Sequence, residues 1–194
     1  MNANSKPSIM ARLDNGEKLI GTHINGNDLQ FTEIVGDAGV DYIWIDTEHT
    51  MLDRRFVQEH LIAARSAGTP AFVRLAWNDY VLAKPILEYG PHGVIFPMVS
   101  SAAEAHDAVQ HCMYPPVGKR GYGPKRANGF GRIQIDDYLS GSASAVVKAV
   151  QIETRQAVEQ VDSIAAVDGV DIVAIGPVDM SFDCGFPAQV DHPE

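Results

Sequence analysis

The sequence predicts an α/β protein made of parallel βα units. Three observations predict it. Short apolar runs recur along the chain and are near-continuous in β-branched and apolar residues, as strands buried on both faces are. Segments with apolar residues at helical spacing lie between them. Each run ends in polar or special residues, and in parallel βα proteins the strand C-termini are where chemistry sits.

The runs come in order. Lys18 to His23 is a candidate first strand. Asp41 to Asp46, Ala71 to Arg74, Gly93 to Pro97, Ser144 to Glu153 and Val170 to Pro177 follow, giving six if the first is counted. Asp28 can cap a helix carrying Phe31, Ile34, Val35 and Ala38, with Gly39 where a C-terminal glycine belongs. Thr50-x-x-Asp53 resembles a capping box opening a helix through Val57, Leu61 and Ala64 to Gly68. Ser101-x-x-Glu104 opens another, and one further helix runs from Thr154 to Gly169. Asp79 to Tyr89 is the weakest helical stretch, because Pro85 interrupts it. Tyr114 to Leu139 reads as a long irregular segment, of the kind that is usually functional or disordered.

Composition narrows the function. With 194 residues the chain is expected to form one domain over 1–194. A formal net charge of −10 disfavours nucleic acid and anionic membrane as partners. Cys112 and Cys184 make no disulfide framework, which fits a reducing, cytoplasmic setting. No glycine-rich dinucleotide or P-loop fingerprint follows any strand.

The strand ends supply the chemistry. Gln151 and Glu153 are two apart and share one strand face. Glu153 and Asp179, from neighbouring strand ends, offer two hard oxygen ligands to a divalent cation; equally, each can cap the helix that follows it. His49 follows Asp46 and Glu48, either of which can orient an imidazole as a base, or it is a solvent-exposed loop histidine. Arg74 ends an apolar strand and suits a carboxylate or enolate oxygen, or a salt bridge with Asp46 or Glu48. The other histidines, His23, His60, His92, His106, His111 and His192, read as surface groups. A Schiff-base mechanism needs a lysine at a strand C-terminus, and Lys148 lies toward the start of its run.

Six motifs carry a resemblance: Asp46-Thr-Glu-His49, Phe72-Val-Arg74, Phe96-Pro-Met-Val99, Tyr114-Pro-Pro-x-Gly-x-Arg-Gly121, Gln151-Ile-Glu-Thr-Arg155 and Gly176-Pro-Val-Asp-Met-Ser181. Their order and spacing resemble the HpcH/HpaI aldolase family over residues 18–194. The resemblance implies a (β/α)8 TIM-barrel type of fold, here incomplete with about six of eight βα units, since the family continues for two more strands. It implies a divalent-metal-dependent pyruvate aldolase using Mg or Mn, with Co a third candidate. Glu153 and Asp179 are then the metal ligands, and Gln151 is their neighbour. His49 with Asp46 is the base, working through metal-bound water. Arg74 binds the pyruvate oxygen, and the Gly176, Pro177, Val178, Asp179 turn holds the pyruvate carboxylate. Glu88 stands where some members have an aspartate near the base. The family forms homo-oligomers by exchanging a C-terminal helix. The expected reaction is aldol cleavage or condensation of a 4-hydroxy-2-oxo acid, giving pyruvate and an aldehyde. The competing readings are a malyl- or citramalyl-CoA-type lyase, kept open by Lys119, Arg120, Lys125 and Arg126, and a truncated non-catalytic barrel fragment.

Overall fold

A computed structural model describes residues 8–193. Among them six strands form one sheet: β1 (Gly21–Ile24), β2 (Tyr42–Asp46), β3 (Ala71–Arg74), β4 (Gly93–Phe96), β5 (Val147–Ile152) and β6 (Ile172–Ile175). All neighbours are parallel and the spatial order is the sequence order. The helices are α1 (Ile9–Asp14), α2 (Leu29–Asp37), α3 (Arg54–Ser66), α4 (Tyr80–Tyr89), α5 (Ala102–Cys112), α6 (Ile135–Ser140), α7 (Arg155–Glu159), α8 (Val161–Ala165) and α9 (Pro177–Asp183). The result is a curled half-barrel with a separate apolar cluster on each face.

Side-chain alternation makes those faces. On β2, Ile43 and Ile45 join Val73, Val94, Phe96, Val150 and Ile152 in a large core beneath the helices. The alternate residues Tyr42 and Trp44 join Phe72, Ile95, Val147, Ala149 and Ile172 in a second cluster on the concave face. Ile9 of α1 seats against that concave cluster. α1, capped by the Ser8 side chain, has no counterpart in the sequence reading; six residues are too few for a periodic signal.

Several local expectations change. Asp53, not Thr50, caps α3, accepting from the Arg55 and Phe56 N–H groups at 2.9 and 3.1 Å. Thr50 instead donates to the Asp46 carbonyl and so shapes the loop after β2. α4 runs straight through Pro85. The proline deprives the Val81 carbonyl of its helical partner, but Val81 is exposed, so water can take that role. Asp79 further secures the helix, accepting from the N–H groups of Val81 and Leu82. The single helix expected after Thr154 divides at Gln160 into α7 and α8. On α2 the buried residues are Thr32 and Gly36, while Phe31 and Ile34 are exposed.

The segment from Tyr114 to Leu139 is ordered around a buried arginine. The Arg120 guanidinium lies 4.5 Å from the Tyr114 ring, donates to Tyr138 Oη and sits 3.4 Å from Glu88. Two histidines read as surface groups are core residues: His60 is fully buried and bonded to Thr32 Oγ1 at 2.8 Å, and His111 is buried on α5.

Candidate active site

The C-terminal ends of β2, β3 and β5 bring the strongest candidates together. Register places Asp46 directly beside Arg74. Arg74 donates from Nε to Asp46 Oδ1 at 3.0 Å and from Nη2 to Oδ2 at 2.7 Å, a bidentate pair with both residues buried. Its Nη1 lies 3.1 Å from Glu48 Oε2 without hydrogen-bond alignment, so that contact is Coulombic. Trp44, one alternation back on β2, lies 5.5 Å from the guanidinium. His23 on β1, exposed as its surface reading expects, stacks on Trp44 at 4.8 Å.

The Asp46-to-Thr50 loop is folded by Asp46 itself. Its Oδ1 accepts from the N–H of Glu48 at 2.9 Å and of His49 at 3.4 Å. Asp46 therefore holds the backbone of His49 and the side chain of Arg74. The His49 imidazole has Glu48 as its carboxylate neighbour, Nε2 to Oε2 at 3.6 Å, and its side chain is 55% exposed, open to a substrate.

Glu153 follows β5 directly and is 1% exposed. Its Oε2 accepts the Met98 backbone N–H at 2.9 Å, and its Oε1 accepts from Gln151 Nε2 at 2.7 Å. Met98 offers that N–H from a positive φ of 54° beyond β4, a conformation non-glycine residues seldom adopt. The capping role open to Glu153 is filled by Thr154, whose Oγ1 accepts from Ala157 N. Gly176, after β6, approaches so closely that a Cβ there would lie 2.3 Å from Glu153 Oε1. Asp179 stands in the first turn of α9, exposed, where its charge reaches Glu153.

The electrostatics are lopsided. Asp46, Glu48, Glu153 and Asp179 are set against the single guanidinium of Arg74 and a half-exposed imidazole. Burial would raise the Asp46 carboxyl, but Arg74 and the two loop N–H groups outweigh it and hold it below the usual carboxylate value. Glu48 and Glu153 go the other way. Burial raises both, and neighbouring carboxylate charge adds to it, from Asp179 on Glu153 and from Glu153 on Glu48. Arg74 is raised on balance, its carboxylate partners overcoming burial.

A divalent cation fits this set. The convergent donors are oxygens, which suits Mg or Mn, and Gln151 Oε1 is buried without a hydrogen-bond partner. Among the described residues no three His, Cys, Asp or Glu converge as a ready-made metal cage.

Other expected site residues lie elsewhere. Glu88 is in the last turn of α4, which leads into the N-terminal end of β4, and the charges that act on it are Arg120 and Lys84. Within this chain it is not brought to His49; the helix between strands runs back to the opposite end of the sheet. Lys148 is also at that opposite end, paired with Asp171 at 2.8 Å. Three of the four basic residues considered for coenzyme A have other engagements. Lys119 pairs with Asp107, Arg120 is buried, and Arg126 donates to the Tyr89 and Leu61 carbonyls. The Met98 N–H, the Trp44 ring and His23 were missed; strand alternation from Asp46 back through Trp44 was the available signal for the ring.

Comparisons with known proteins place the chain in a family. The model of the HpcH/HpaI aldolase/citrate lyase family matches residues 19–194. A hydroxypyruvate/pyruvate aldolase of Roseobacter denitrificans is 37% identical over 94% of this chain and 71% of its own. A 4-hydroxy-2-oxo-heptane-1,7-dioate aldolase of Salmonella dublin is 39% identical over 92% and 68%. Among solved structures, a HpcH/HpaI aldolase/citrate lyase family protein of Burkholderia cenocepacia superposes with a TM-score of 0.89 at 31% identity, covering 95% of this chain and 74% of that one.

Proposed function

The chain belongs to the HpcH/HpaI aldolase/citrate lyase family and is a carbon–carbon lyase; from that premise we propose that it cleaves and forms 4-hydroxy-2-oxo acids, giving pyruvate and an aldehyde, with the help of Mg or Mn. The observation that carries the reading is the excess of carboxylate at one sheet end around a single clamped arginine. Relatives named as aldolases for hydroxypyruvate/pyruvate and for 4-hydroxy-2-oxo-heptane-1,7-dioate support the substrate class. We read residues 1–194 as one domain of the (β/α)8 type with about six of its eight βα units.

Glu153 and Asp179 would hold the metal, with Gln151 and the Met98 N–H fixing the Glu153 carboxylate. The bound cation supplies Lewis-acid polarisation of the 2-oxo group. Arg74 is kept rigid by Asp46 and retains N–H groups on its terminal nitrogens for the oxygen at C2. The unsatisfied N–H groups of the first turn of α9, after Gly176 and Pro177, face the substrate carboxylate. His49 takes the proton of the C4 hydroxyl, and Glu48 at 3.6 Å stabilises the imidazolium so formed. The C3–C4 bond then breaks, its electrons pass to the oxygen at C2 as an enolate, and Arg74 meets that charge. The aldehyde leaves, and protonation at C3 gives pyruvate.

The test is pyruvate release from a 4-hydroxy-2-oxo acid with added Mn or Mg, repeated with chelator. Release that depends on metal and stops on chelation is expected. Release undiminished by chelator overturns the metal-assisted reading.

A further inference from the structure

At the end of the sheet away from Asp46 and Glu153 there is a cavity of about 390 Å³. It lies against the starts of β3, β4 and β5, between α3, α4 and the segment that follows α6. Strands of four to six residues separate it from the aldolase site, roughly 13–20 Å at about 3.3 Å per residue.

The charged side chains in its lining are both cationic, and His92 and the hydroxyls of Thr69, Tyr138 and Ser142 complete its polar wall. Arg126 is half-buried and uses one N–H on each terminal nitrogen for the Tyr89 and Leu61 carbonyls, at 2.6 and 3.1 Å. A guanidinium has five N–H groups, so others remain. Arg65, from the last turn of α3, adds a second guanidinium. His92 accepts the Ala71 N–H on Nδ1 at 3.1 Å, so Nε2 carries its proton and is a donor. Ser142 adds a hydroxyl.

No aspartate or glutamate lines the cavity, and neither arginine has an ion pair among the described residues. Burial and the charge of Arg65 both lower the proton affinity of Arg126, so the two cations repel across uncompensated space. Such a pair stands out in a chain of net charge −10. The rest of the wall is apolar, with Leu61, Ala64, Leu87 and Val146. A free inorganic anion would leave that wall in contact with water.

We propose that this cavity binds a small organic carboxylate, its oxygens on Arg65 and Arg126 and its apolar body against Leu61, Leu87 and Val146. The site is separate from the aldolase site and independent of the reading given to it.

The test is calorimetric titration of the full chain in chelator with hexanoate, hexan-1-ol and inorganic phosphate. Hexanoate should bind once per chain, and the alcohol and phosphate should each bind at least about tenfold more weakly, because one lacks the charge and the other the apolar body. Arg65→Glu, at an exposed position, should weaken hexanoate by about tenfold or more. Ser142→Trp, also at an exposed position, should block the cavity and do the same. Arg74→Lys, at the other end, should leave hexanoate binding within about twofold. Failure of hexanoate to saturate, equal binding of hexanol or phosphate, indifference to Arg65→Glu and Ser142→Trp, or loss with Arg74→Lys would each overturn the proposal.

Discussion

The two ends of the sheet carry opposite imbalances of charge. At the strand C-termini, Asp46, Glu48 and Glu153 act on one guanidinium, with Asp179 beside Glu153. At the N-termini, Arg65 and Arg126 share a cavity with no carboxylate on its wall. The same N-terminal end also holds a matched pair, Lys148 with Asp171. Structure alone would favour matched pairs everywhere, because a buried charge without a partner costs several kcal/mol. Where matching fails, a ligand is proposed to bring the missing charge, a cation at one end and an anion at the other.

Four substitutions and one titration sharpen that contrast. Glu153→Ala should have the largest effect. If Glu153 holds the proposed metal, its loss removes several kcal/mol of transition-state stabilisation, on the order of 10³-fold in kcat/KM. Steady-state kinetics across a Mn titration would show it, and wild-type turnover would refute the assignment. Arg74→Ala should cost about 10²-fold in kcat/KM, as loss of a donor to a developing oxyanion does. It should also destabilise the fold by about 3–5 kcal/mol, since Asp46 is left buried without its partner. Denaturant unfolding read beside the kinetics separates the two losses.

Gly176→Ala should act through the Glu153 carboxylate, because the new methyl would meet Oε1 at 2.3 Å. A roughly 10–100-fold loss of metal affinity is expected, from titration of activity against free Mn. Lys148→Met should cost no more than about 2 kcal/mol in stability and leave kcat/KM within about twofold, because Asp171 is partly exposed and its former partner lies away from the chemistry. A large catalytic loss there would break the two-ended picture.

The smallest effect is an acid titration. Asp46 is held below its ordinary carboxylate value, so the stability it contributes is fully present above its unfolded value of about 4. That contribution falls away as pH drops through the depressed folded value. Thermal unfolding from pH 6 downward should show a shallower acid loss in Asp46→Asn than in the parent chain.

Much of this was legible in the sequence because parallel strands advertise themselves. Near-continuous apolar runs marked β2 through β6, and their last residues, Asp46, Arg74 and Gln151 with Glu153, are neighbours in space for the reason the sequence suggested. The position of Lys148 at the wrong end for Schiff-base chemistry was equally readable from strand direction. Less readable were the features decided by competition between partners. Asp46 had two nearby claimants in sequence, His49 and Arg74. The structure gives the carboxylate to Arg74 and to backbone N–H groups, and leaves the imidazole to Glu48.

Sequence by itself determined the periodicity, the order of the βα units and the set of side chains at each strand end, because these follow from spacing along a single chain. Tertiary structure alone decided that Glu88 pairs with Arg120, that His60 and His111 are core residues, and that Met98 supplies an N–H to a glutamate far along the chain. Those outcomes depend on distances between segments distant in sequence. They are set by which elements pack together, and no local pattern of residues encodes that choice.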